Sequence, residues 1–155
     1  MIWEEMKESL IFLNLEADDS GEVLKKLGTA LICEGYAKET YVNGLIEREE
    51  NFPTGLDIGG IGIAIPHTEA RHVKKEGMAL AALKRPVVFG QMGNDCAHID
   101  VRLVFMLAVK DPGRHLKRLQ RILDLIQDSS VLEQLLKARD EKEIIQIIRK
   151  KEELL

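Results

Sequence analysis

A chain of 155 residues is long enough to bury one sizeable core and short for two. With 45% hydrophobic and 31% charged residues, its composition is that of a water-soluble globular protein, not of a disordered or membrane-embedded one. A formal net charge of −4 argues against nucleic-acid binding, which needs a concentrated basic surface, and no apolar run approaches a membrane span in length.

The opening MIWEEMKESL has neither the basic nor the apolar region of a secretory signal, so no secretory leader is expected. Residues 10–15 read as a short strand. Asp19 or Ser20 opens a helix, with Glu22 placed as in a capping box. Leu24, Leu27 and Leu31 form its apolar stripe, and Gly35 ends it. A second helix is expected from about residue 38 to 50, with Tyr41, Leu45 and Ile46 facing inward. Residues 51–60, with one proline and three glycines, read as a loop. Residues 61–65 are a short apolar run bounded by glycine, which favours a buried strand over a helix. Pro66 has no N–H to give a ladder, so pairing weakens there.

Further strands are expected at residues 78–83 and 101–109, the latter almost wholly apolar and so central, with an edge strand at 86–89. Asp111 and Pro112 mark a helix start, a capping carboxylate followed by proline at the first position. Leu116, Leu119, Ile122, Leu123 and Ile126 continue it at helical spacing. Its Arg114, Lys117, Arg118 and Arg121 read as a solvated basic face. Residues 131–136 and 144–148 mark two more short helices, and the final KKEELL reads as frayed. Cys33 and Cys96 are isolated and read as small, reduced core residues, with a disulfide between them the less favoured alternative. Strands and helices interleave without a linker or repeat. That pattern favours an α/β fold, a sheet covered by helices on both faces, in one domain over residues 1–155.

The chemistry centres on GIGIAIPHTEARH, residues 60–72. His67 stands where a strand leaves the sheet, the place where open α/β sheets tend to hold reactive groups. Its imidazole titrates near pH ~6.5 and is a good nucleophile at neutral pH. On spacing alone, His67 reads equally well as a surface histidine at a strand end. Arg48 follows Tyr41 by seven residues on the second helix, so it reaches the edge of the buried face. Its guanidinium would offer a planar fork of donors to phosphate oxygens. Among Glu47, Glu49 and Glu50 it also reads as a solvated side chain. His115 lies in the first turns of the Pro112 helix, where partial positive charge and free N–H groups suit an anion. Thr54 and Thr68 carry hydroxyls that either bind phosphate or cap turns. His72 has no assigned role. Asp95, His98 and Asp100 form a DxxHxD pattern, but without HExxH or supporting geometry no metal is expected. No nucleotide-binding loop is present, so no cofactor is expected either.

Three segments, EREENFPTGL (47–56), AIPHTEARHV (64–73) and KDPGRHLKRLQRIL (110–123), resemble enzyme IIA components of the phosphotransferase system (PTS), mannitol/fructose class. Galactitol-type members are the most similar. The order and spacing match across roughly residues 10–150. The resemblance implies a three-layer α/β/α sandwich with a mixed central sheet, forming a single EIIA type-2 domain. It implies a cytoplasmic phosphotransferase in which His67 takes a phosphoryl group on Nε2 from phospho-HPr. The group then passes to a cysteine of a separate enzyme IIB. Arg48 would bind phosphate, His115 would stabilise the phosphoryl group, and Thr54 would be a further phosphate contact. The membrane enzyme IIC would be met only indirectly. Glu69 stands where the family pattern leads one to expect aspartate.

Phe52, Leu56 and Ile58 are the apolar residues expected near the docking surface. The nitrogen-related branch shares the histidine motif but controls other proteins, so a regulatory phosphoprotein is the second reading. An interaction domain with a lost site and an unrelated metal hydrolase stand further off. The cargo sugar is not encoded in a relay that never touches it.

Overall fold

The computed structural model describes residues 1–155, apart from the side chains of Asp95, Pro112, Arg114 and His115. Five strands form one mixed sheet: β1 (Ile11–Leu15), β2 (Gly55–Ile58), β3 (Ile61–Ala64), β4 (Gly77–Gln91) and β5 (Asn94–Ala108). Six helices surround it: α1 (Ile2–Glu5), α2 (Ser20–Cys33), α3 (Tyr41–Asn51), α4 (Pro112–Ile126), α5 (Ser129–Lys137) and α6 (Glu141–Glu153).

Alternate residues of the two long strands face opposite layers, as a period of two requires. Ala79, Ala81, Val104 and Met106 pack beneath α2 and α3, with Leu24, Leu27, Tyr41 and Leu45. Leu80, Leu103, Phe105 and Leu107 pack on the other face, under α1, α4, α5 and α6. The expected three-layer α/β/α sandwich is therefore the observed architecture.

β4 and β5 pair antiparallel along almost their whole length, and β1 adds in parallel to β4. β3 runs parallel to β5, with Gly62 opposite Val101 and Ala64 opposite Val104. A side chain at Gly62 would place its Cβ 1.9 Å from the Asp100 carbonyl oxygen, so this close approach of two backbones requires glycine.

Three elements differ from the sequence reading. The expected loop at 51–60 contains β2, which forms a hairpin with β3 through Gly59 and Gly60. Both turn glycines have positive φ (59° and 90°), the conformation of a tight two-residue turn. The expected edge strand at 86–89 is the continuation of β4 beyond an irregularity between Ala82 and Val87. Lys84, Arg85 and Pro86 stand exposed there, where a missing N–H costs no ladder bond. The C-terminal segment is ordered instead of frayed. Glu152 is 3% exposed and accepts the Ile2 and Trp3 N–H groups at 3.0 and 2.7 Å, capping α1.

Helix boundaries follow local chemistry. Asp19 accepts the Glu22 N–H at 2.8 Å, while Glu22 reaches back to the Asp18 N–H at 3.0 Å. Gly35, at φ 84°, ends α2 with the Gly35 N–H bound to Ile32 and the Tyr36 N–H bound to Leu31. Asp111, Asp128 and Asp140 each cap the helix that follows them.

Candidate functional site

All four residues of β3 are buried, which fixes the strand and delivers residues 65–67 to the sheet end. Ile65 is 1% exposed. The Pro66 carbonyl accepts the Leu107 N–H of β5 at 3.0 Å, so the chain stays tied to the sheet although proline cannot donate. His67 follows, half-buried, with Nδ1 2.9 Å from the Ile65 carbonyl oxygen. A carbonyl can only accept, so this contact places the proton on Nδ1 and leaves the lone pair on Nε2.

The ring lines a largely apolar cavity of about 320 Å³. Leu107 and Val109 from the end of β5, and Leu116 and Leu119 from α4, form its walls. Arg48 reaches it from α3. The Arg48 guanidinium lies over the Phe52 ring, 4.2 Å from the centroid, and among the described residues no carboxylate pairs with it. A cation held by an aromatic face but free of a counter-ion remains available to an anion.

Leu107 is a shared anchor. Its N–H holds Pro66, and its carbonyl accepts the Tyr41 hydroxyl at 2.7 Å. Tyr41 opens α3, so one residue of β5 fixes both the helix that carries Arg48 and the segment that carries His67. Burial raises the pKa of the Tyr41 phenol, which keeps it a donor.

The family described as "Phosphoenolpyruvate-dependent sugar phosphotransferase system, EIIA 2" matches residues 4–151. The chain belongs to this family. The galactitol-specific EIIA component of Escherichia coli (strain K12) is 35% identical over 118 residues, 76% of this chain and 78% of that one. Among solved structures, the complex of enzyme IIAMTL with phosphorylated enzyme IIBMTL from Escherichia coli matches with a TM-score of 0.78 at 25% identity, over 94% of this chain and 97% of that one. The nitrogen regulatory protein IIA-Ntr from Neisseria meningitidis matches with a TM-score of 0.73 at 25% identity, over 95% and 98%.

In this EIIA protein the expected site residues separate into groups. Arg48 and His67 line the same cavity. Position 115 lies in the first turns of α4, one turn before Leu119, and the His115 side chain lies outside the described residues. Thr54 does not face the cavity. It is 2% exposed, donates its hydroxyl proton to Glu49 and accepts the Ile65 N–H at 3.2 Å. Its place as a phosphate contact is corrected on that ground. Thr68 is buried beside α3, and His72 binds Thr40 through Nδ1 at 2.8 Å.

Glu49 was hidden in sequence among three other acidic or basic neighbours. It is nevertheless 9% exposed, and burial raises its pKa while hydrogen bonds from Thr54 lower it. A signal was present: Tyr41, Leu45 and Glu49 recur every four residues, along one buried stripe.

Of the expected docking residues, Phe52 is 58% exposed, whereas Leu56 and Ile58 pack against the core. Leu116, at 71%, is an exposed apolar residue at the cavity that the sequence reading did not single out for docking. Arg118 is not solvated; it is largely buried and pairs with Glu5. Cys33 and Cys96 are both exposed and unpaired, not core residues. Asp95 of the DxxHxD pattern lies outside the described side chains, and among the described residues no cluster is arranged to hold a metal. No helix among the described residues is long and apolar enough to cross a membrane.

Proposed function

We propose that this EIIA protein is a phosphoryl relay that takes phosphate from phospho-HPr on Nε2 of His67 and gives it to a cysteine of a separate enzyme IIB. The observation that carries this reading is the Nδ1 contact to the Ile65 carbonyl, which leaves Nε2 as the nucleophile in a cavity shared with Arg48. In the first step the Nε2 lone pair forms a bond to phosphorus as the donor's P–N bond breaks. The donor imidazole leaves with that electron pair, while His67 keeps its Nδ1 proton against the Ile65 carbonyl. In the second step an enzyme IIB thiolate attacks the same phosphorus, and the His67 imidazole leaves with the P–N electrons. Arg48 neutralises charge on the phosphoryl oxygens through both transfers. His115 donates a hydrogen bond to those oxygens from the start of α4.

Residues 1–155 act as one EIIA unit in the cytoplasm, and enzyme IIC meets the phosphate only through enzyme IIB. Exposed Phe52 and Leu116 offer an apolar rim for docking either partner. Similarity to the galactitol-specific component supports a galactitol-type enzyme IIB as acceptor. The likeness to IIA-Ntr supports a second reading, a regulatory phosphoprotein. A chase of the isolated phosphoprotein with galactitol-type enzyme IIB separates them. Label moving to the enzyme IIB cysteine supports transport. Label retained on His67 with every enzyme IIB tried supports regulation.

A further inference from the structure

We propose that Glu49 and Thr54 are positioning residues for His67: they aim the Ile65 carbonyl that holds the imidazole in its Nδ1–H form and so keep Nε2 free. The inference rests on His67 being the phosphoryl acceptor.

The chain of contacts starts inside α3. Glu49 Oε1 accepts the Thr54 N–H at 2.8 Å, and both carboxylate oxygens lie within hydrogen-bond reach of Thr54 Oγ1, at 3.1 and 3.0 Å. An ionised carboxylate has no proton to give, so the Thr54 hydroxyl must donate to it. That turns an Oγ1 lone pair toward the Ile65 N–H, 3.2 Å away. Ile65 is thus held on its N–H side by Thr54, and the next carbonyl, on Pro66, is held by Leu107. Between these two fixed points sits the Ile65 carbonyl, which accepts from Nδ1 of His67. A free neutral imidazole populates both tautomers, so one well-aimed acceptor decides which nitrogen is nucleophilic. Losing the Thr54 hydroxyl would leave the buried Ile65 N–H unpaired, and turning of the Ala64–Ile65 peptide to satisfy it would shift the Ile65 Cα and with it the adjoining Ile65–Pro66 carbonyl.

A salt bridge does not account for Glu49. Among the described residues no lysine or arginine pairs with it, and a buried carboxylate without a cation costs stability. Placement of a reactive group is a reason to keep such a residue.

The test is nitrogen NMR of the His67 ring at neutral pH, run beside single-turnover transfer from phospho-HPr. It compares wild type with Thr54→Val, Thr54→Ser and Glu49→Gln. Wild type should show the Nδ1–H tautomer. Thr54→Val should show a tautomer mixture and transfer about 10-fold more slowly, with half-saturation by phospho-HPr unchanged. Thr54→Ser should restore the tautomer and most of the rate. Glu49→Gln should shift both in the same direction as Thr54→Val, and it carries the test if Thr54→Val does not fold. A wild-type tautomer or a wild-type rate in folded Thr54→Val or Glu49→Gln would overturn the proposal. If wild type accepts no phosphoryl group at all, the relay reading fails, while the NMR comparison still decides the hydrogen-bond chain.

Discussion

In the proposed relay, charge complementarity at the site rests on Arg48. Its guanidinium stacks on Phe52, faces the His67 cavity and has no carboxylate partner among the described residues. Replacing it removes no buried ion pair, so Arg48→Ala should leave thermal stability within a few degrees of wild type. Transfer to and from His67 should fall about 100-fold, the scale of a lost charge-stabilising contact. Arg48→Lys should recover only part of that, because a point charge cannot replace the fork. A wild-type rate in Arg48→Ala would remove the residue from the site.

Residue by residue, the sequence singled out His67 and Arg48 through their motifs and their place relative to the buried strand, and the fold brings both to one cavity. The sequence did not expose the Glu49–Thr54 pair. A glutamate within a charged run reads as solvated, and only the fold brings residue 54 beneath residue 65. The cysteines misled for a related reason: small size favours burial on average, but Cys33 falls on the outer face of α2.

Among the elements, the contact of α3 with the segment after His67 matters most. Gly44 allows it: an added Cβ would lie 2.8 Å from the His72 ring and 3.0 Å from Thr68 Oγ1. Alanine in a helix is favoured by about 1 kcal/mol over glycine. Overpacking at a tight contact costs about 1–3 kcal/mol, so the clash should win. Gly44→Ala should therefore lower the unfolding midpoint and slow transfer, by pushing the His67 segment away from Arg48. A variant that is more stable and equally fast would show that the segment moves freely. The layered α/β architecture was legible in apolar periodicity, and capping residues marked most helix starts. β2 was missed because proline and three glycines over residues 51–60 read as a loop, although the Gly59–Gly60 pair between apolar runs is a hairpin signal. The length of β4 was missed because Pro86 breaks the pattern at an exposed irregularity.

At the scale of the whole molecule, α6 closes the structure by capping α1 through Glu152, and Leu107 ties both sides of the site to the sheet. Stability should record the buried Glu49. Burial raises its folded pKa, with the two Thr54 hydrogen bonds opposing. A raised folded pKa stabilises fully below the unfolded value, about 4.3, and that contribution is lost as pH rises through the folded one. Denaturant unfolding should thus favour wild type over Glu49→Gln most strongly in acid, with the difference shrinking toward neutral pH. The exposed carboxylates of Glu16, Glu22 and Asp128, whose pKa values are lowered, titrate alike in both proteins and cancel. The opposite slope would contradict the buried carboxylate. The central claim concerns one side chain, His67, and intact mass tests it most directly. Wild type and His67→Ala would each be incubated with phosphoenolpyruvate, enzyme I and HPr. The account predicts one acid-labile phosphoryl group on wild type and none on a folded His67→Ala protein. A phosphoryl group on the variant, or none on folded wild type, would contradict it.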